Sequence, residues 1–259
     1  MQDRKIFIDT HVHTVHSELD GMCKLEEYIE YGKQNKFPAL FISDHGNISG
    51  WIPFYLGCKE AGIKPVLGSE FYISEGLTQE STETDKQIKL EKENKLNFHL
   101  CLYAKNLTGY KNIIKLTTYA NLENFYKRPR ITFDILKKHS EGVICTTACV
   151  GSIFAYYILK DEVKKAVYYI KLLQDLFKDD FYIEYGYHNF DSEEKYITSL
   201  RRIAKDLQIK EIVANDTHYL YKEDETAHKI LMCKGSQTVL NKSDFDYSQN
   251  YYKSYTEIC

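Results

Sequence analysis

KIFIDT (residues 5–10), followed by KLEEYIEYGKQ (24–34), is the unit whose repetition decides the fold. The first piece is short and rich in β-branched and aromatic side chains, as strands are. The second is amphipathic and long enough for a helix. The same alternation recurs along the chain. ALFIS (39–43) precedes a helical stretch over 51–60, and KPVLGSEFYIS (64–74) follows. FHLCLYA (98–104) precedes NLTGYKNIIKLTTYA (106–120), and GVICTTA (142–148) precedes helices near 155 and over 162–177. DFYIEYG (180–186) precedes SEEKYITSLRRIAKDL (192–207), and EIVAND (211–216) precedes KEDETAHKILMCKG (222–235). Seven strand-plus-helix units predict an α/β fold with parallel strands and right-handed crossovers. That number in one chain favours a barrel over an open sheet. Either way, the chemistry is expected at the C-terminal ends of the strands.

One segment breaks the rhythm. EGLTQESTETDKQIKLEKENKLN (75–97) is polar and charge-dense, and reads as a surface excursion with a marginal helix in its second half. Residues 236–259 are polar and Tyr-rich and hold no further unit, so the expected division is a domain over 1–235 and an extension over 236–259. The 259 residues include 34 Lys+Arg and 37 Asp+Glu, a net charge of −3 that excludes a generally basic, nucleic-acid-coating surface. The 43% hydrophobic content excludes a disordered chain. Seven cysteines without a CxxC pair, and an N-terminus without an apolar leader core, predict a cytoplasmic protein with reduced thiols. No apolar run approaches the ~18 residues of a membrane helix.

Metal-capable side chains gather at the strand ends. Asp9, His11 and His13 close the first strand, with Asp20 in the loop beyond it. Asp44 and His45 end the second strand, Glu70 lies in the third, His99 begins the fourth and Cys149 ends the fifth. Asp216 and His218 end the seventh. Residues two apart in extended backbone share a face, which pairs His11 with His13 and Asp216 with His218. Any one of these alone reads as an ordinary hydrogen-bonded or core residue. The set differs, because His, Asp, Glu and Cys are the donors that suit zinc, manganese and iron. Buried together without cations, they would leave costly unpaired charge. Nine donors exceed the needs of one ion and predict two or three sharing a bridging carboxylate. Such a cluster suits phosphoester hydrolysis, in which divalent ions bind phosphate oxygens and lower the pKa of a bound water to about 7. The sequence holds no G-x-S-x-G elbow, P-loop or dinucleotide fingerprint.

FIDTHVHTVHSELDG, PALFISDHGNISG, AGIKPVLGSEFYIS, HLCLYAKNLTGYKNIIKLTTYA, YKRPRITFDIL, EGVICTTACVGS and ANDTHYLYKEDETAHKILMC run in order over residues 6–233. Together they resemble the polymerase and histidinol phosphatase (PHP) family, and within it the N-terminal PHP domain of bacterial DNA polymerase III α subunits. The resemblance implies a distorted (βα)7 TIM-like barrel with a trinuclear metal site of Zn, Mn or Fe. Its motifs put His11, His13, Glu70 and Asp216 on one ion, Glu70, His99 and Cys149 on a second, and Asp20, His45 and His218 on a third. Asp216, His218 and His13 are taken as the catalytic members. Asp9 and Asp44 are expected to orient imidazoles. His188, Lys105 and Arg130, with Lys127 and Arg128 nearby, are candidates for substrate phosphate. His16 is left without a role.

The implied activity is metal-dependent 3′–5′ exonucleolytic hydrolysis of DNA. The alternatives are a small-molecule phosphomonoesterase and a non-catalytic module supporting a replicative polymerase. The expected partners are a DNA 3′ end and other replisome subunits. No polymerase acids are expected in a chain of this length, which suits either a piece of a longer polymerase or a free-standing product.

Overall fold

The computed structural model describes residues 5–74, 96–242 and 246–258. Nearly all of the 75–97 excursion lies outside them. Helix α1 (Leu25–Gln34) leads to β1 (Ala39–Ile42), α2 (Trp51–Glu60) and the eleven-residue β2 (Lys64–Ser74). Then come β3 (Phe98–Ala104), α3 (Leu107–Leu122), β4 (Phe125–Tyr126), β5 (Arg128–Thr132), α4 (Phe133–Lys138) and β6 (Val143–Thr146). Two helices, α5 (Ile153–Leu159) and α6 (Val163–Phe177), precede β7 (Phe181–Tyr185), α7 (Glu193–Leu207) and β8 (Lys210–Val213). Helices α8 (Glu225–Ser236) and α9 (Tyr255–Ile258) complete the order.

Local chemistry explains these elements. Tyr196, Ile197, Leu200, Ile203 and Ala204 recur at helical spacing in α7 and are all buried, while Gln208 ends the helix in the left-handed region. The side chains of Asn106, Thr132 and Ser152 accept the first free backbone N–H groups of α3, α4 and α5. Phe54, Phe71, Leu100, Leu102, Phe154, Ile170 and Ile183 belong to one continuous core between sheet and helices.

The sheet is curled and mixed. β1 and β5 both pair parallel to β2, along different halves of it, and β3 takes the other edge. β3 runs antiparallel to both β2 and β6, while β6, β7 and β8 are mutually parallel. Seven uniform parallel repeats are therefore not what this chain builds. β3 returns beside β2 instead of crossing over, and β4 and β5 add a small antiparallel pair of their own. Residues 5–10 are not a regular strand either. The adjoining residues 11–13 hydrogen-bond to Thr217 just past β8 and to Ser43 just past β1, so this segment joins the two flanks of the sheet. The stretch after residue 246 docks on the same end. Tyr251 bridges to Tyr219, and Tyr252 enters the core beside Tyr28, Tyr31 and Phe37.

Candidate metal centre

The reversal of β3 settles the position of His99. A residue at the start of a parallel strand would lie at the far end of the sheet from the other donors. Running antiparallel, β3 brings His99 opposite Tyr72, two residues past Glu70 and at the same end as the loops after β1, β6 and β8. Gly151 makes room for the ring, because a Cβ there would lie 2.8 Å from His99 Nδ1. Gly46 takes φ +60° immediately after His45, a conformation that favours glycine.

Glu70 sits at the centre with no exposed surface. Its two oxygens face different neighbours. Oε2 lies 3.4 Å from His11 Nε2, 3.4 Å from His13 Nε2 and 2.8 Å from His45 Nδ1. Oε1 lies 3.0 Å from His99 Nδ1 and 3.7 Å from Cys149 Sγ, and Cys149 Sγ is 3.4 Å from His99 Nδ1. Asp216 Oδ1 is 3.3 Å from His11 Nε2 and 3.1 Å from His13 Nε2. Asp20 Oδ2 is 2.7 Å from His45 Nε2 and 3.4 Å from His218 Nε2. Four donors arranged tetrahedrally at ~2.05 Å from an ion stand roughly 3.3 Å apart, and the sulfur edges are longer. The spacing around His11, His13, Glu70 and Asp216 matches that figure. Moreover, His13 Nε2, His45 Nδ1, Glu70 Oε2 and Asp216 Oδ1 are buried and make no hydrogen bond. Buried polar atoms are normally satisfied. Four orphans aimed at one another fit cations as their missing partners.

The clustered groups also shift one another's titration. Burial raises the Glu70 carboxyl, but the imidazoles of His99, His11 and His45 outweigh it and hold the group well below the usual carboxylate range. Asp20 and Asp216 are lowered in the same way, against burial, mainly by His218 and His11 respectively. Burial depresses His218, but Asp20 and Asp216 push it up to about 9. Burial pushes the Cys149 thiol well up, the reverse of what a coordinated cation would do to it.

A family model for the PHP domain matches residues 9–188. The chain belongs to the PHP family. Over 263 aligned residues this PHP domain is 37% identical to the DNA polymerase III subunit alpha of Borreliella burgdorferi, covering 100% of this chain and 22% of that one. It is 40% identical over 231 residues to the DNA polymerase III subunit alpha of Aquifex aeolicus, covering 88% and 20%. The counterpart from Thermus aquaticus is 32% identical over 260 residues, covering 97% and 21%. The chain thus spans about a fifth of the length of these relatives. The matched range ends before Asp216 and His218, which the fold returns to the PHP donors.

All nine sequence-nominated donors converge, while the supporting residues fall differently. Asp9 accepts from the backbone N–H groups of His11 and Asn215 and from the Thr217 hydroxyl, so it fixes the loops rather than a ring. Asp44 accepts from Thr14 and from the Ser17 hydroxyl, and Ser17 Oγ lies 3.0 Å from His13 Nδ1, so it reaches an imidazole through a relay. His188 is buried, with Nδ1 on Glu193 and Nε2 donating to the Asn215 carbonyl. Lys105 lies past the far end of β3 from His99 and pairs with Asp180, because β3 is reversed. Arg130 is buried against the Tyr126 ring. Arg128 instead stands over the Tyr72 ring, on the wall of a 740 Å³ pocket that opens at Asp20, His45 and His99. His16 and Tyr247 line the same pocket.

Three supporting residues escaped the sequence reading. Glu184 of β7 is buried and lies 2.6 Å from His11 Nδ1, and it also accepts from the Thr146 hydroxyl. That contact fixes the His11 tautomer and turns Nε2 toward Glu70 and Asp216. Cys101 packs its sulfur 3.6 Å from both His11 ring nitrogens, and burial pushes its thiol up. His228 of α8 donates Nε2–H to the Asp20 carbonyl and is held down to about 4 by burial and by His218. The lone acid within FYIEY was the one available signal for Glu184. Among the described residues, no helix is long and apolar enough to cross a membrane.

Proposed function

We propose that this PHP domain is a metal-dependent phosphoesterase that trims nucleotides from a DNA 3′ end. One arrangement carries the reading: a complete nine-donor cluster, bridged by Glu70, opens into a 740 Å³ pocket walled by Tyr72, Tyr247 and Arg128. His11, His13, Glu70 and Asp216 would hold one ion, Glu70, His99 and Cys149 a second, and Asp20, His45 and His218 a third, with Zn, Mn and Fe all suiting these donors. Bound there, the ions supply phosphate polarisation and a water of lowered pKa.

The chain's own residues do the rest. Arg128, exposed over Tyr72, offers a fork of donors to a backbone phosphate. Tyr247, half-buried on the pocket wall, offers an aromatic surface against which a base packs without sequence preference. His13, Asp216 and His218 take the catalytic part from within the cluster, behind Asp20, His45 and His99, which line the pocket. The working context is a bacterial replisome in the cytoplasm, by likeness to the polymerase relatives.

The test is incubation of a 3′-labelled single strand with Mn or Zn, beside a small phosphomonoester. Mononucleotide release that His13→Ala and Asp216→Ala abolish supports the exonuclease. Hydrolysis of the phosphomonoester alone points to the small-molecule reading. Hydrolysis of neither by a folded, metal-loaded protein overturns both and leaves the non-catalytic module.

A further inference from the structure

The structure assigns Asn250 as a positioning residue that completes the metal centre from outside the seven-unit pattern. This rests on the reading of Asp216 and His218 as metal donors. Asp216 holds φ +50°, a left-handed conformation that a non-glycine residue keeps only when its surroundings impose it. Its carbonyl accepts from the Asn250 side-chain amide at 2.9 Å and lies 2.7 Å from His218 Nδ1. The Asn250 carbonyl in turn accepts the His218 backbone N–H at 2.7 Å. Asn250 therefore grips the loop on both sides of Thr217.

The grip has a consequence at each donor. With Nδ1–H spent on the Asp216 carbonyl, His218 presents Nε2 to Asp20. With its carbonyl tethered, Asp216 aims Oδ1 at His11 and His13. Asn250 is itself anchored. The Asn215 side chain donates to the carbonyls of Gln249 and Tyr251, flanking it, and the Tyr219 hydroxyl donates to the Tyr247 carbonyl. Asn250 is 3% exposed, and its bonds to Asp216 and His218 go to their backbone groups and not to their ligand atoms, so its contribution runs through the loop.

The test compares the full chain with Asn250→Asp and Asn250→Ala. The first keeps the volume and removes the amide donor, and the second removes the group. Each is loaded with Co(II) alone, bound ions are counted after dialysis, and affinity is measured by chelator competition. Thermal unfolding of the chelated proteins checks that each variant folds. The expected result is about a 10- to 100-fold loss of affinity for the ions on Asp216 and His218. The near-ultraviolet thiolate-to-cobalt band from the Cys149 site stays at parental strength. If Asn250→Ala does not fold, Asn250→Asp carries the comparison. Parental affinity, ion count and spectrum in Asn250→Asp would overturn the assignment, as would parallel loss of the thiolate band, which marks general collapse. Parent protein that takes up no Co(II) would overturn the underlying metal reading as well, and DNA hydrolysis enters none of these readouts.

Discussion

Glu184 offers the sharpest check on how the cluster is held. It sits at the far side of His11 from the donors, 2.6 Å from Nδ1, with the Thr146 hydroxyl on its other oxygen. Glu184→Gln keeps an oxygen that can accept from Nδ1–H, so the tautomer survives and the negative charge goes. Glu184→Ala removes both and leaves His11 Nδ1 and Thr146 without their acceptor in a closed interior. Loss of such a ring-orienting partner weakens metal binding about 10- to 100-fold, or roughly 1.4 to 2.7 kcal/mol. The glutamine variant should fall near the lower figure and alanine near the upper. Chelator-competition titration of Zn or Mn measures it, with ion counts after dialysis beside it. Equal affinity in parent and both variants would refute the reasoning. So would the loss of a whole ion in Glu184→Gln, because that is the behaviour of a direct ligand.

Other perturbations follow from the same geometry. Saturating ions at ~1,000 times their Kd contribute about 4 kcal/mol each, so chelation should lower the melting temperature by about 8–16 °C per ion lost, and an unchanged melting curve would contradict the fit of the donors. Gly151→Ala puts a methyl 2.8 Å from His99 Nδ1, and should weaken the Cys149 site by about 1–3 kcal/mol while sparing the ion on Asp216, as read from the thiolate band in the Co(II) form. Burial pushes the Cys58 thiol up to about 12. A raised pKa makes the thiolate rarer, about one in ten thousand at pH 8, so alkylation at Cys58 should appear only in denaturant. Labelling of Cys58 in native protein at the rate of a free thiol would count against that burial.

Much of the fold was legible because its strands are short apolar runs with clear bounds. The runs over 64–74 and 98–104 coincide with β2 and β3 at both ends. The direction of β3 was not legible, since a period of two reads the same from either end. Residues 5–10 look like a strand, yet nearby backbone groups go to side chains instead of a ladder. Asp9 N–H donates to the Tyr252 hydroxyl, Val12 N–H to Ser43 Oγ and Thr14 N–H to Asp44. The β4–β5 pair escaped because FYKRPRIT carries exposed aromatics and basic side chains rather than alternation. The nine donors announced themselves by type and spacing. Glu184 and Asn250 did not, because a positioning residue is defined by what it touches.

The reversed strand also governs where this architecture tolerates change. Ser74 and Asn97, the described residues nearest the two ends of the 75–97 excursion, belong to the donor end of the sheet, and Asn97 lines the pocket. Six register pairs, from Gly68 with Tyr103 to Ile73 with Phe98, fix β2 and β3 independently of what lies between them. Residues gained or lost in that connection would leave this β2–β3 register in place. For a lineage, that separates two rates of evolution: a slow one for the paired strands that carry Glu70 and His99, and a fast one for the connection between them.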